Sequence, residues 1–141
     1  MILSEDINNQ IKTEYENWFN EQYGDKTLEE RKALGAFFTP PELTIKMIEK
    51  FDSIEDKTIL DPTCGTGNLL AACCIAGADP KKIYGNEFDE EFCLKCIERL
   101  AKFGVPKHNI HVGDALNPNN LKRFSFDPDY KEIKYEVTDL W

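Results

Sequence analysis

The sequence predicts an α/β fold with a partial parallel sheet and N-terminal helices. Three short apolar segments, at 58–60, 82–87 and 109–112, alternate with stretches whose apolar residues recur at helical spacing. Strands and helices that alternate in this way form parallel sheets with right-handed crossovers. The chain has 141 residues and 41% hydrophobic content, which is enough for a single buried core. We therefore expect an N-terminal helical segment at 1–34 and one α/β domain at 35–141.

Two helices are expected in the N-terminal segment. Ser4 can cap the first helix, because the apolar residues that follow are spaced by four, four and three positions and form one stripe. This helix should end near Gly24. Thr27 and Glu30 have the spacing of a capping box, so a short second helix should begin there and stop at Gly35.

A third helix should open the α/β domain. Thr39 is the expected N-cap, Pro40 suits the first helical position, and Glu42 stands where the reciprocal capping carboxylate belongs. The helix should continue to about Phe51. The aromatic pair at 37–38 would then lie directly before a well-defined helix start.

The first two predicted strands each lead into a helix. The sequence DPTCGTG follows the first strand at 61–67, and an apolar helix is expected at 68–76. After the second strand, Asp89 can cap a helix, and that helix should end at Gly104. The buried face of that helix is predicted to consist of Phe92, Cys96, Leu100 and Phe103.

Acidic residues stand at the ends of all three predicted strands, at Asp61, Glu87 and Asp114. Ligands of open α/β sheets bind outside the carboxyl ends of the strands, so we expect the three acids along one edge. Gly65 and Gly67 would let the backbone turn tightly and approach a ligand at the next helix N-terminus. Glu87 lies twenty residues after Gly67, a spacing at which an acid can accept hydrogen bonds from ribose hydroxyls.

The dinucleotide site of an oxidoreductase shares these features but fits the sequence less well. Its fingerprint needs Gly or Ala three residues after the second glycine, and this chain has Leu70 there. Asp61, which precedes the turn, suits a cationic or amino-bearing ligand better than a pyrophosphate. The residues therefore favour a nucleoside with an amino-acid tail.

The cysteines are expected to be reduced and to bind no metal. Cys93 and Cys96 have the spacing of half a zinc site, but His108 and His111 are the only histidines, and no second pair matches. Core packing is the favoured interpretation. No apolar run approaches the roughly 18 residues of a membrane span, and the first residues lack the pattern of a signal peptide. We expect a soluble, cytoplasmic protein.

Four segments match a known motif set in order and at workable spacings. They are GAFFTP at 35–40, DPTCGTG at 61–67, NEFD at 86–89 and GDAL at 113–116. They resemble motifs X, I, II and III of the DNA adenine-N6 methyltransferases found in restriction-modification systems. The resemblance implies a Rossmann-like methyltransferase fold with S-adenosylmethionine (SAM) as the cofactor.

The resemblance also implies which residues bind SAM. In the family, the motif II acid holds the ribose, which corresponds to Glu87, and the next apolar residue packs on the adenine, which corresponds to Phe88. The motif III acid, here Asp114, accepts a hydrogen bond from the adenine amino group. Motif X touches the methionine end of SAM and motif I forms the SAM turn, which adds Phe38, Thr39, Asp61, Gly65 and Gly67.

No intact copy of the family's catalytic motif IV is found, so the catalytic residues stay unassigned. That motif reads Asp/Asn-Pro-Pro-Tyr/Phe and receives the target amino group of a flipped base. The best match is DPDY at 127–130, in which Asp129 replaces the second proline. We interpret this segment either as a degenerate motif IV or as a surface turn.

We therefore expect the SAM-binding part of a DNA adenine-N6 methyltransferase. DNA would be the substrate of the complete enzyme. The formal net charge of -9 disfavours binding of DNA phosphates by this chain alone, so a partner chain could supply catalytic or DNA-recognition parts. The alternative is an inactive SAM-binding pseudoenzyme or regulatory module, and a nucleotide-dependent oxidoreductase is a weaker third hypothesis.

Overall fold

A computed structural model describes residues 1–35 and 38–117 and the backbone of 135–136. These residues form five α-helices, four β-strands and two short 3₁₀ turns. The helices are α1 (Glu5–Tyr23), α2 (Leu28–Gly35), α3 (Pro41–Ile48), α4 (Asn68–Ile75) and α5 (Glu90–Ala101). The strands are β1 (Ile59–Asp61), β2 (Ile83–Glu87), β3 (Ile110–Val112) and β4 (Tyr135–Glu136).

The strands form one parallel sheet in the order β3-β2-β1-β4. Asp61 lies opposite Gly85, and Glu87 lies opposite Val112, so the carboxyl ends of β1, β2 and β3 share one edge. β4 pairs with β1 on the other side. The predicted α/β class with a parallel sheet is confirmed.

The apolar core lies between the sheet and its helices. All three residues of β1 are buried, and α4 is buried over most of its length because its sequence, NLLAACCI, is apolar on nearly every side. Gly85 lies at the centre of this packing. A Cβ atom there would stand 2.9 Å from Cys64 Sγ and 3.0 Å from Leu70 Cδ1.

The predicted first helix is confirmed as α1. The Ser4 hydroxyl accepts a hydrogen bond from the Ile7 amide, and Gly24 follows the last helical residue. α1 packs on α3 and α4, and Leu3 and Ile11 belong to the main apolar core. The N-terminal segment therefore covers part of the surface of the α/β core.

The capping box of α2 is also confirmed. The Thr27 amide donates to Glu30 Oε1 at 3.3 Å, and the Glu30 amide donates to Thr27 Oγ1 at 3.2 Å. These hydrogen bonds lower the pKa of the Glu30 carboxyl. Gly35 is the last residue of the helix.

The predicted boundaries of the third helix were wrong. α3 begins at Pro41, Pro40 holds the N-cap position with φ −68° and ψ 150°, and no side chain caps the helix. The helical region is disfavoured for a residue that precedes proline, which explains why Pro40 is extended and Pro41 is the first helical residue. Thr39 therefore lies outside the capping position, and the helix ends at Ile48 rather than at Phe51.

α5 begins as predicted, because the Asp89 carboxylate accepts from the Phe92 amide. Cys96 and Leu100 are buried as expected, whereas Phe92 and Phe103 are only partly buried. The sequence pattern missed Arg99, which is also buried. In the described part of the chain, no helix is both long and apolar enough to cross a membrane.

Candidate functional site

A groove of about 320 Å³ opens at the shared carboxyl edge of β1, β2 and β3. Its volume falls within the range of small-molecule sites, roughly 300–1,000 Å³. We call it the strand-end groove. Its lining residues are Pro62, Thr63, Glu87, Phe88, Gly113, Asp114, Ala115 and Leu116.

The turn after β1 depends on two glycines, as the sequence predicts. Gly65 has φ 56° and Gly67 has φ 93°, both in the left-handed region that favours glycine. A Cβ atom on Gly67 would stand 3.0 Å from Cys96 Sγ, so this residue packs against the core. A Cβ atom on Gly65 would meet nothing within 4 Å. Space is therefore available beside Gly65 for another molecule.

Glu87 joins the tip of β2 to this glycine turn. Its Oε1 accepts from the Gly65 amide at 2.9 Å, and its Oε2 accepts from the Asp89 amide at 2.6 Å. An ionised carboxylate offers about four lone-pair sites, so these two bonds leave Glu87 with further acceptor capacity. Sequence reasoning found the position of Glu87 but not its two backbone donors.

Asn86 fixes the spacing of the three strand ends. It is fully buried, and its Nδ2 donates to the Pro62 carbonyl at 3.1 Å and to the Gly113 carbonyl at 2.9 Å. Sequence reasoning assigned no role to this side chain. The available signal was its position inside an apolar strand, because a buried amide needs hydrogen-bond partners.

The rim of the groove includes two exposed apolar side chains. Phe88 is 75% exposed and Leu116 is 87% exposed, although both are large hydrophobic residues. Asp114 shapes this rim, because its Oδ1 accepts from the Leu116 amide at 2.9 Å. Exposed apolar side chains around a polar base suit a flat ligand that has one polar edge.

Asp61 is fully buried at the end of β1 and does not line the groove. Its Oδ1 accepts from the Thr63 amide at 3.1 Å, which shapes the first residues of the glycine turn.

Phe38 and Thr39 lie on the α1 side of the glycine turn and not in the strand-end groove. The Phe38 ring is buried in an aromatic cluster, with ring centroids 5.8 Å from Trp18 and 6.0 Å from Tyr23. The Thr39 carbonyl accepts from Asn68 Nδ2 at 3.2 Å, at the first residue of α4. Ala36 and Phe37, which belong to the same predicted motif, lie outside the described residues.

The cysteines lie in or beside the core, all as free thiols. A hydrogen bond with Cys96 and burial raise the pKa of Cys64 well above its usual value, and the two sulfurs are 3.8 Å apart. Burial also raises the pKa of Cys93 to about 11 and that of Cys74 to about 12. Thiols held protonated are poor metal ligands and poor nucleophiles. Across residues 1–35 and 38–117, no group of three or more His, Cys, Asp or Glu residues could hold a metal.

The DPDY segment at 127–130, which we interpret either as a degenerate motif IV or as a surface turn, lies outside the described residues. The site that the structure describes is thus the strand-end groove and the adjoining glycine turn.

Comparisons with known proteins identify relatives of this chain. The family model of the N-6 DNA methylases matches residues 13–135. The type II methyltransferase M.VspI of Vibrio sp. (strain 343) is 32% identical over 105 residues, which cover 73% of this chain and 24% of that protein. The type II methyltransferase M.CvrRI of Paramecium bursaria Chlorella virus XZ-6E is 33% identical over 112 residues, covering 72% of this chain and 27% of that protein.

A third relative matches a shorter stretch of the chain. The type II methyltransferase M.NspV of Nostoc sp. (strain ATCC 29411 / PCC 7524) is 34% identical over 82 residues, which make up 57% of this chain and 17% of that protein. The chain therefore spans between 17% and 27% of the length of these relatives.

Proposed function

The chain belongs to the N-6 DNA methylase family, and from this premise we propose that it is the SAM-binding part of a DNA adenine-N6 methyltransferase. The three relatives named above are type II methyltransferases, and the reaction of such enzymes requires a methyl donor. The observation that carries the proposal is the strand-end groove, which combines an acid at the tip of β2 with exposed apolar side chains.

The strand order supports a Rossmann-like methyltransferase fold. In the order β3-β2-β1-β4, the strands β2 and β3 follow one another on one side of β1, and β4 then pairs with β1 on the other side. Ligands of doubly wound sheets bind outside the carboxyl ends of the strands at the point where this order reverses. The glycine turn follows β1 directly and lies at that point.

The groove suits the adenosine part of SAM. The exposed Phe88 and Leu116 side chains offer apolar surface to the adenine ring, and Glu87 retains lone pairs for the ribose hydroxyls. Asp114 is assigned to the adenine amino group. The methionine part would extend along the glycine turn, where Gly65 leaves open space, towards Thr39.

SAM supplies the methyl group, and the residues described here bind and orient the donor. Asp61 and Gly67 support the turn, while Phe38 would act through the position of Thr39. Residues beyond the described site would receive the target adenine, either the segment at 127–130 or a partner chain. DNA is the proposed substrate of the complete enzyme, and the proposed location is the cytoplasm.

An inactive SAM-binding module is the second candidate. It is favoured by Asp129, which stands where the family's catalytic motif has its second proline. Both candidates bind SAM, and only the first requires a working motif IV.

Calorimetry with S-adenosylhomocysteine tests the proposal. We expect the chain to bind this ligand and not NAD. Glu87→Gln should weaken binding by about 1.5–3 kcal/mol, because it removes charged hydrogen bonds to the ribose. Glu90→Gln removes the same charge from an exposed position three residues away and should leave the affinity unchanged. Tight NAD binding without S-adenosylhomocysteine binding would contradict the proposal.

A further inference from the structure

A partly buried ion pair joins the N-terminal helix to the helix that follows β2, with the Arg99 side chain 1% and the Glu14 side chain 22% exposed. Arg99 of α5 is 2% exposed, and its Nε and Nη2 donate to the two carboxylate oxygens of Glu14 in α1, at 2.9 and 2.5 Å. The guanidinium carbon lies 4.4 Å from the centre of the Trp18 ring. The side chain of Arg99 is thus held in one orientation by a two-point ion pair and an aromatic face.

The remaining nitrogen of Arg99 contacts the glycine turn. Nη1 donates to Asn68 Oδ1 at 2.5 Å and reaches the Thr66 carbonyl at 3.4 Å. Asn68 in turn donates from Nδ2 to the Thr39 carbonyl at 3.2 Å. One guanidinium therefore connects α1 to the glycine turn and, through Asn68, to the segment before α3.

Stability alone does not account for this arrangement. An ion pair gains little over well-packed apolar side chains to the extent that its charges are removed from water, and here Arg99 is buried and Glu14 is partly buried. What the pair does provide is a fixed geometry at two loops that are distant in sequence. The proposed SAM site depends on the backbone of these two loops, at residues 65–68 and at Thr39.

We propose that Arg99, held by Glu14, is a positioning residue that fixes the glycine turn and the Thr39 carbonyl for ligand binding. This inference rests on the proposed function. It also makes α1 part of the binding site, although no residue of α1 lines the strand-end groove. By linkage, ligand binding should strengthen the docking of α1.

The test compares two ion pairs that join the same parts of the molecule. Glu14→Gln and, separately, Arg99→Lys disturb the pair between Arg99 and Glu14, while Glu21→Gln removes the exposed pair between Glu21 and Lys102. We expect the first two variants to bind S-adenosylhomocysteine about 3- to 30-fold more weakly. They should also shift the amide resonances of Gly65 and Gly67 in the ligand-free, ¹⁵N-labelled chain. Glu21→Gln should do neither.

The outcomes separate positioning from stability. A lower melting temperature with unchanged affinity and unchanged glycine resonances would overturn the proposal, because it would show a purely structural pair. If Glu14→Gln does not fold, Arg99→Lys retains the cation and decides the question alone. If the unmodified chain fails to bind S-adenosylhomocysteine, the proposed function fails, and the resonances of the ligand-free variants still show whether the pair fixes the turn.

Discussion

Gly65 and Gly104 share a backbone conformation but differ in position. Gly65 has φ 56° and Gly104 has φ 90°, so an alanine at either residue carries a strain of about 1–2 kcal/mol. Neither Cβ atom would meet a neighbour closer than 3.7 Å. Gly104 follows α5, and a Cβ atom there would stand 3.7 Å from Pro80, whereas the Gly65 amide donates to the groove acid Glu87. A comparison of alanine variants at these two glycines therefore separates the effect of backbone strain from the effect of ligand contact.

We expect Gly65→Ala and Gly104→Ala to lower the free energy of unfolding by similar amounts in urea titrations. Only Gly65→Ala should weaken S-adenosylhomocysteine binding, by about 5- to 150-fold, because its methyl group would occupy the space that a ligand needs. Calorimetry at a temperature where both variants are folded measures this difference. Equal affinities in the two variants would show that the ligand does not approach Gly65.

Single residues were predictable where the local sequence determines them. The positive φ of Gly65 and Gly67 and the capping side chains of Ser4, Glu30 and Asp89 depend on neighbours within a few positions, and the structure agrees. The Thr39 cap was wrong because the second proline, Pro41, acts on the residue before it. One partner of Glu87, the Gly65 amide, lies in another loop, and no local pattern indicates it.

At the scale of elements, β2 is tied to its surroundings by one buried asparagine near each end. Asn86 donates to carbonyls after β1 and after β3, at the groove edge. Asn109 donates to the Lys81 and Ile83 carbonyls at the opposite end, at 3.3 and 2.9 Å. Both side chains are almost completely buried.

Replacing either asparagine by alanine leaves two carbonyls without this donor, so each variant should lose about 1–3 kcal/mol per carbonyl that stays unpaired. Chemical denaturation measures that loss. Only Asn86→Ala should also weaken S-adenosylhomocysteine binding, because only Asn86 fixes the spacing of the strand ends. Equal affinity losses in both variants would instead indicate that a general loss of sheet stability weakens ligand binding.

Elements were predictable from periodicity, and their contacts were not. The spacing of Cys96 and Leu100 correctly identified the buried face of α5. Arg99 lies on that face too, but hydrophobic periodicity excludes a charged residue whose partner, Glu14, is 85 positions away. The same limit applies to Phe38, whose ring packs against α1 in the aromatic cluster.

At the scale of the whole molecule, the net negative charge disfavours direct binding to DNA. The chain has 17 Lys and Arg residues against 26 Asp and Glu residues. Proteins bind duplex DNA non-specifically when clustered basic side chains displace counterions from the phosphates, with dissociation constants of about 10⁻⁴–10⁻⁶ M at physiological salt. A net charge of -9 works against this association at every distance within the screening length.

We therefore expect the 141-residue chain to bind S-adenosylhomocysteine but to show no saturable binding to duplex DNA at concentrations up to about 10⁻⁴ M. Fluorescence anisotropy of a labelled duplex at low and physiological salt measures this directly.

In the same preparation, labelled SAM should transfer no methyl group to DNA, because Asp129 interrupts the best match to the catalytic motif. Methyl transfer that Asp127→Ala abolishes would contradict this expectation and would assign DPDY at 127–130 as a working motif. Since S-adenosylhomocysteine binding is measured on the same sample, a negative DNA result cannot be attributed to an unfolded chain.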